Sequence, residues 1–134
     1  MPVTKMHGTR NDFVLVDERT ERISDFPAFA KSVCDRRSGI GADGVLVVLP
    51  STLGDVRMRI FNPDGSEAEM CGNGVRCVAA YMRESGGPAD LQVETLAGVI
   101  QTSVVSQSPE YGVRVNMGNP KFAKNDNAQA DIAF

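Results

Sequence analysis

Residues 72–84 constrain the fold of this 134-residue chain more than any other stretch. Val75, Val78, Ala79 and Met82 fall on one helical stripe, and Cys77, Ala80 and Tyr81 are apolar as well, so a helix here is apolar on most sides and has to be enclosed. Its neighbours in sequence read as strands. Phe13-Val14-Leu15-Val16, flanked by Asp12 and Asp17, is an unbroken apolar run, and Val45 to Leu49 is another; both read as buried strands. Val56 to Phe61, Leu91 to Glu94 and Val113 to Met117 alternate, as half-solvated strands do. Val99 to Val105 is β-rich and follows Ala97-Gly98, a tight turn, while Val3 to Met6 suits a sheet edge. A buried helix wrapped by strands is an α+β architecture.

The pattern predicts a further helix from Asp25 to Arg37, with Ser24 as N-cap, Phe26, Phe29, Ala30, Val33 and Cys34 on its apolar stripe, and Gly39 beyond its end. The buried helix starts at Cys71 to Asn73, runs to Glu84 and stops at Ser85-Gly86-Gly87. Lys121 to Phe134 is polar, carries no closing signal and reads as the start of something further.

Cys71 therefore stands at a helix mouth, in the run Met70-Cys71-Gly72-Asn73-Gly74-Val75-Arg76-Cys77. A helix start offers unpaired N–H groups and partial positive charge, which favour a thiolate over a thiol and also attract a carboxylate. Gly72 and Gly74 read as giving a ligand access to bare backbone, with Asn73 adding side-chain donors and an acceptor.

Composition narrows the partners. A net charge of −3, a pI near 5.1 and no basic block argue against nucleic acid. The longest apolar stretch, Val45 to Leu49, is far too short for a membrane span, and the N-terminus has no apolar export segment, so the expected compartment is the cytoplasm. Cys34, Cys71 and Cys77 read as reduced thiols. A zinc site combining them with His7 is disfavoured because no C-x₂₋₄-C knuckle is present. Cys34 and Cys77 read as core residues, and His7 as structural.

Gly39-Ile40-Gly41-Ala42-Asp43-Gly44 spells G-x-G-x-x-G, but a helix precedes it and a strand follows, the reverse of a dinucleotide site. It reads as a helix-to-strand connection that lines a pocket. Asn62-Pro63-Asp64-Gly65 reads as a turn, with Asn62 at a strand end within reach of the Cys71 cleft; Asn11, at the start of a strand, has the same standing. At both positions a purely local hydrogen-bonding role is the competing reading.

Taken together, Lys5 to Phe13, Phe61 to Glu67, Met70 to Cys77 and Val113 to Pro120 resemble the diaminopimelate epimerase family over nearly the whole chain. Related cofactor-independent racemases share a similar cysteine run, but the leader and the Phe-Asn-x-Asp-Gly element favour the epimerase. The resemblance implies a mixed, mostly antiparallel sheet wrapped around a central helix, as one half of a two-domain pseudo-symmetric fold. It places the N-terminal domain at residues 1–118 and a crossover into a missing C-terminal half at 119–134. It implies interconversion of LL- and meso-diaminopimelate, in lysine and peptidoglycan-precursor biosynthesis, without pyridoxal phosphate or metal. Two cysteines act across one α-carbon: Cys71 is one, Gly72 and Asn73 bind the α-carboxylate, and Asn11 and Asn62 contact substrate. Where the family often carries Gln, this chain has Gly44, so any amide contact there is lost.

No second cysteine sits in a matching helix-start context, so the isolated chain is expected to be inactive, and a sheet edge left unpaired would invite dimerisation. Two competing readings stand beside this one. One is a non-catalytic module holding a small carboxylate or phosphate; the other, a thiol redox protein, is weakened by the lack of a resolving cysteine within reach of Cys71.

Overall fold

The computed structural model describes residues 3–7, 11–19, 22–69, 71–107, 112–116 and 129–133. One mixed sheet carries nine strands: β1 (Thr4–His7), β2 (Asp12–Asp17), β3 (Gly44–Leu49), β4 (Val56–Phe61), β5 (Glu67–Ala68), β6 (Asp90–Thr95), β7 (Gly98–Ser106), β8 (Gly112–Asn116) and β9 (Gln129–Ala133). Two helices accompany it among the described residues, α1 (Phe26–Cys34) between β2 and β3, and α2 (Gly72–Glu84) between β5 and β6. The order across the sheet is β1-β2-β3-β4-β6-β7-β8-β9, with β5 paired to β4. Since β3 holds one edge of β4, β5 and β6 share the other: β5 meets Ile60 and Phe61, and β6 meets Val56 and Arg57.

Among the described residues only β2–β3 and β4–β6 are parallel, and each needs a crossover, which α1 and α2 supply. The two pairs step the same way across the sheet but run in opposite directions, because β3 and β4 are antiparallel. Right-handed crossovers, the near-universal hand, then put the two helices on opposite faces. The cores agree with that. Phe13, Leu15, Leu46, Val48, Val56, Met58 and Ile60 pack with α2 on one face, joined by Leu91, Val93, Ile100, Val113 and Val115. Val14, Val16, Val45, Val47 and Phe61 pack with Ala30 and Cys34 of α1 on the other. Covered on both faces, β2 and β3 can tolerate no polar alternation, which is why they read as unbroken apolar runs.

The sheet curls around α2, which touches β3 and β4 on one side and β7 and β8 on the other. Val75, Cys77, Val78, Ala79, Ala80 and Met82 are all buried, as the sequence pattern requires. No helix among the described residues is long and apolar enough to cross a membrane.

Helix α1 differs from expectation at both ends. Its N-cap is Asp25, not Ser24: the Asp25 carboxylate accepts from Ala28 N–H at 3.0 Å. It stops at Cys34 rather than Arg37, because Asp35 turns its carboxylate onto the N–H groups of Arg37 (2.8 Å) and Ser38 (3.0 Å), offering the backbone an alternative to the helix. The carbonyls of Val33 and Cys34 are then taken by the N–H groups of Ile40, Gly41 and Ala42, with Gly41 at φ +85°. Two strands have no counterpart in the sequence reading, β5 and β9; the latter pairs antiparallel with β8 from Gly112↔Ala133 to Asn116↔Gln129. Met117 and the Gly118-Asn119-Pro120 run lie outside the described residues.

Candidate functional site

Register alone gathers most of the sequence-predicted residues at one end of the sheet. Phe13 pairs with Gly44, and Val45 pairs with Phe61, so Asn11, Asp43 and Asn62 sit at adjacent strand ends. The first turn of α2 lies over the same end: a side-chain carbon built on Gly74 would stand 2.9 Å from Leu46 Cδ2 and 3.7 Å from Ile60 Cδ1, and those two residues are cross-strand partners. Gly74 is buried, so its lack of a side chain serves the close packing of helix on strand and not the ligand access expected from the sequence.

Cys71 is the N-cap of α2, with extended backbone (φ −145°, ψ 120°), and its carbonyl accepts the first helical bond from Val75 N–H at 2.9 Å. Its side chain makes no capping bond and is half-buried. The sulfur thus stands beside the N–H groups of the first turn, which have no partner within the helix, and no acidic residue lies in that turn to compete for them. Gly72 and Asn73, also half-buried, carry the first of those N–H groups.

Asn73 Nδ2 donates to Asn11 Oδ1 at 2.9 Å, joining the helix start to the start of β2. Asn11 Nδ2 reaches Asp43 Oδ2 at 3.5 Å, and Asp43 Oδ2 also accepts from the Asp12 N–H at 3.0 Å. Arg36 spans Asp12 and Asp43, at 3.0 and 3.1 Å, and Lys5 reaches Asp12 at 3.1 Å. The Asp12 carboxyl is held well below the ordinary carboxylate range, chiefly by hydrogen bonds from Arg36, with Lys5 and Asp43 adding to the effect. Sequence reasoning missed Asp43, Arg36 and Lys5; only the G-x-x-G letters around Asp43 marked the segment.

Asn62 is occupied locally. Its carbonyl closes the turn with Gly65 N–H (2.9 Å, Gly65 φ +91°), and its Nδ2 donates to Ser66 Oγ at 3.0 Å. Ser66 Oγ in turn donates to Asp64 Oδ1 at 2.6 Å. Among the described residues no hydrogen bond joins Asn62 to Asn11, Asn73 or Cys71, so the structure places it at the same sheet end without linking it to the pair. A side-chain carbon at Gly44 would lie 3.1 Å from Phe61 O, which leaves that strand end tightly packed.

The other cysteines are core residues. Cys77 is fully buried, and that burial pushes its thiol up to about 12, with Cys71 adding to the rise. Cys34, buried under α1, is also raised by burial. Arg76 is the one buried arginine among the described residues, and its Nη1 lies 3.0 Å from where a Gly72 side chain would begin, putting a cation beside the first turn of α2. No cluster of metal-binding side chains is found among the described residues.

The fold is one shared with a class of solved epimerases, racemases and phenazine biosynthesis proteins. A hydroxyproline epimerase from Agrobacterium vitis aligns at a TM-score of 0.65 and 16% identity, over 85% of this chain and 40% of that one. A phenazine biosynthesis protein of the PhzF family from Bacillus anthracis aligns at 0.63 and 25% identity, over 84% and 37%. Within the class, the family model for diaminopimelate epimerase matches residues 3–123, and the chain belongs to that family. Diaminopimelate epimerases from Moorella thermoacetica and Desulforudis audaxviator are 56% and 51% identical, over 92% of this chain and 46% of each relative. The chain thus spans about half the length of these relatives.

Proposed function

We propose that this chain is the N-terminal half of a diaminopimelate epimerase and supplies one of two acid/base cysteines to an active site completed by a second half. Residues 1–118 form the body of the domain, β9 (Gln129–Ala133) adds a strand to the same sheet, and the crossover toward the partner half falls within 119–134; the substrate is LL- or meso-diaminopimelate, and the setting is lysine and peptidoglycan-precursor synthesis in the cytoplasm. The observation that carries this reading is the place of Cys71: a half-buried cysteine at a helix start, uncommitted to capping, next to the first-turn N–H groups that lack a partner within the helix.

The chemistry follows from those groups. Cys71, as thiolate, takes the α-proton; the C–H electron pair flows toward the α-carboxylate, and a thiol on the opposite face returns a proton to the carbon. Charge grows on the carboxylate as the first proton leaves, so the Gly72 and Asn73 N–H groups grip it most strongly at that moment. Asn11 and Asn62 contact the rest of the substrate. Reversal exchanges the two sulfurs' roles. The reading assigns the reaction no pyridoxal phosphate and no metal.

The test is α-proton exchange in D₂O with diaminopimelate. The 134-residue chain alone is expected to give no exchange above background, and the chain joined to a complementary C-terminal half to give it, in a form abolished by Cys71→Ala. Exchange by the chain alone would refute the need for a second half. Full activity in the joined Cys71→Ala protein would remove Cys71 from the chemistry and leave carboxylate binding as the role of the helix start.

A further inference from the structure

The hydrogen bonds from α2 to the start of β3 run in one direction. Asn73 gives a proton to Asn11 Oδ1 at 2.9 Å, and Asn11 gives one to Asp43 Oδ2 at 3.5 Å. An ionised carboxylate can only accept, whereas an amide presents a nitrogen and an oxygen of nearly equal size and can face either way. Beside Asp43, Asn11 must turn its NH₂ to the carboxylate. Its oxygen is then committed to Asn73, which must answer with its own NH₂.

Asp43 is itself held from three directions: its Oδ2 accepts from Asp12 N–H (3.0 Å), its Oδ1 from Arg36 Nη2 (3.1 Å), and its own N–H donates to the Asp12 carbonyl (2.8 Å). The ion pair with Arg36 is a weak reason to retain this arrangement for stability, because the Arg36 side chain is 58% exposed and exposed pairs add little.

We propose that Asp43 is a positioning residue of the candidate site, setting the polarity of the Asn11 amide and, through it, that of Asn73. Asn73 then enters the first turn of α2 with its Oδ1 uncommitted among the described residues, so the helix start presents a single pattern of donors and acceptors. The bearing of this on catalysis rests on the epimerase reading, but the amide orientation does not.

The side-chain NH₂ resonances of Asn11 and Asn73 in ¹⁵N-labelled chain test the proposal without turnover, so its failure is separable from failure of the epimerase reading. Asp43→Ala is expected to shift the NH₂ pairs of both asparagines and to speed solvent exchange of the Asn73 NH₂. Asp43→Asn, whose oxygen the Asp12 N–H holds toward Asn11, is expected to return both pairs most of the way to their wild-type positions. Arg36→Met, which removes the ion pair but not the acceptor, is expected to leave the Asn73 pair in place. If Asp43→Ala fails to fold, Asp43→Ser, too short to reach Asn11, takes its place. Asn73 resonances unmoved by Asp43→Ala (or Asp43→Ser), or moved equally by Arg36→Met, would overturn the proposal.

Discussion

Asn73 Nδ2 lies 2.9 Å from Asn11 Oδ1, a bond that spans 62 residues of sequence and ties the first turn of α2 to the first residue before β2. Both groups are part-buried, so the bond should be worth about 0.5–1.5 kcal/mol. In a double-mutant cycle by urea unfolding, Asn11→Ala and Asn73→Ala should each destabilise and the pair should cost less than their sum. Strict additivity would mean that the two amides do not depend on each other.

Cysteine accessibility should separate sharply. Cys71 is half-buried, while Cys34 and Cys77 are enclosed in the two cores. Under native conditions iodoacetamide should modify Cys71 first, and the other two only as the chain unfolds. Mass spectrometry of the first product decides it; label on Cys77 in folded protein would place the α2 core elsewhere than described.

Gly74→Ala sets two effects against each other. Alanine gains about 0.5–1 kcal/mol in helix propensity over glycine. Its methyl group would stand 2.9 Å from Leu46 Cδ2, and overpacking a core of this kind costs about 1–3 kcal/mol. Leu46 is fully buried and has little room to withdraw, so the strain should win and the melting temperature should fall. A rise would show that α2 can lift from β3 freely.

Acid should weaken the end of the sheet farthest from Cys71. Asp17 accepts from Arg19 Nε (2.8 Å), Arg19 Nη2 (2.7 Å) and Tyr81 Oη (2.9 Å), and Arg19 above all holds its carboxyl below the ordinary range. A lowered folded-state pKa means that the unfolded chain binds the proton first. The stabilisation is therefore complete above the unfolded value of ~3.9 and drains away as pH falls through the lower folded value. The urea midpoint of Asp17→Asn should fall less steeply than wild type below about pH 4. An identical acid limb in both proteins would contradict the assignment.

Alkali acts through Cys77. Its thiol is pushed up to about 12 by burial, so in the unfolded chain it ionises first as pH rises. Stability is then intact below the unfolded value of ~8.5 and is lost as pH climbs toward the folded value. Cys77→Ala lowers stability at neutral pH by leaving a small cavity, but it should flatten the decline above about pH 9. Urea titrations at neutral and alkaline pH give both slopes; equal slopes would remove Cys77 as the cause.

The parts of the fold written in the sequence were those whose burial imposes a local period. β2 and β3, covered on both faces, showed unbroken apolar runs; β4, with Arg57 and Arg59 between Val56, Met58 and Ile60, alternated. The start of α2 was legible from Cys71-Gly72-Asn73-Gly74, but the reason for Gly74 was not, because Leu46 lies 28 positions away. The end of α1 was misread because apolar spacing does not register the Asp35 carboxylate bonding Arg37 and Ser38 N–H. β5 is only two residues long, too short for any periodicity. The link from Asn73 through Asn11 to Asp43 joins three distant segments, and no local pattern encodes it.

The crossover that holds α2 also sets when it can be sheltered. During synthesis the Val75–Met82 surface is complete before β6 has left the ribosome, and its partners on β7 and β8 emerge later still. Pairing across such separations is slow, on the order of milliseconds to seconds. The nascent chain therefore carries α2 sheltered by β3 and β4 alone, and the side of the helix that faces β7 and β8 stays open to solvent until those strands emerge.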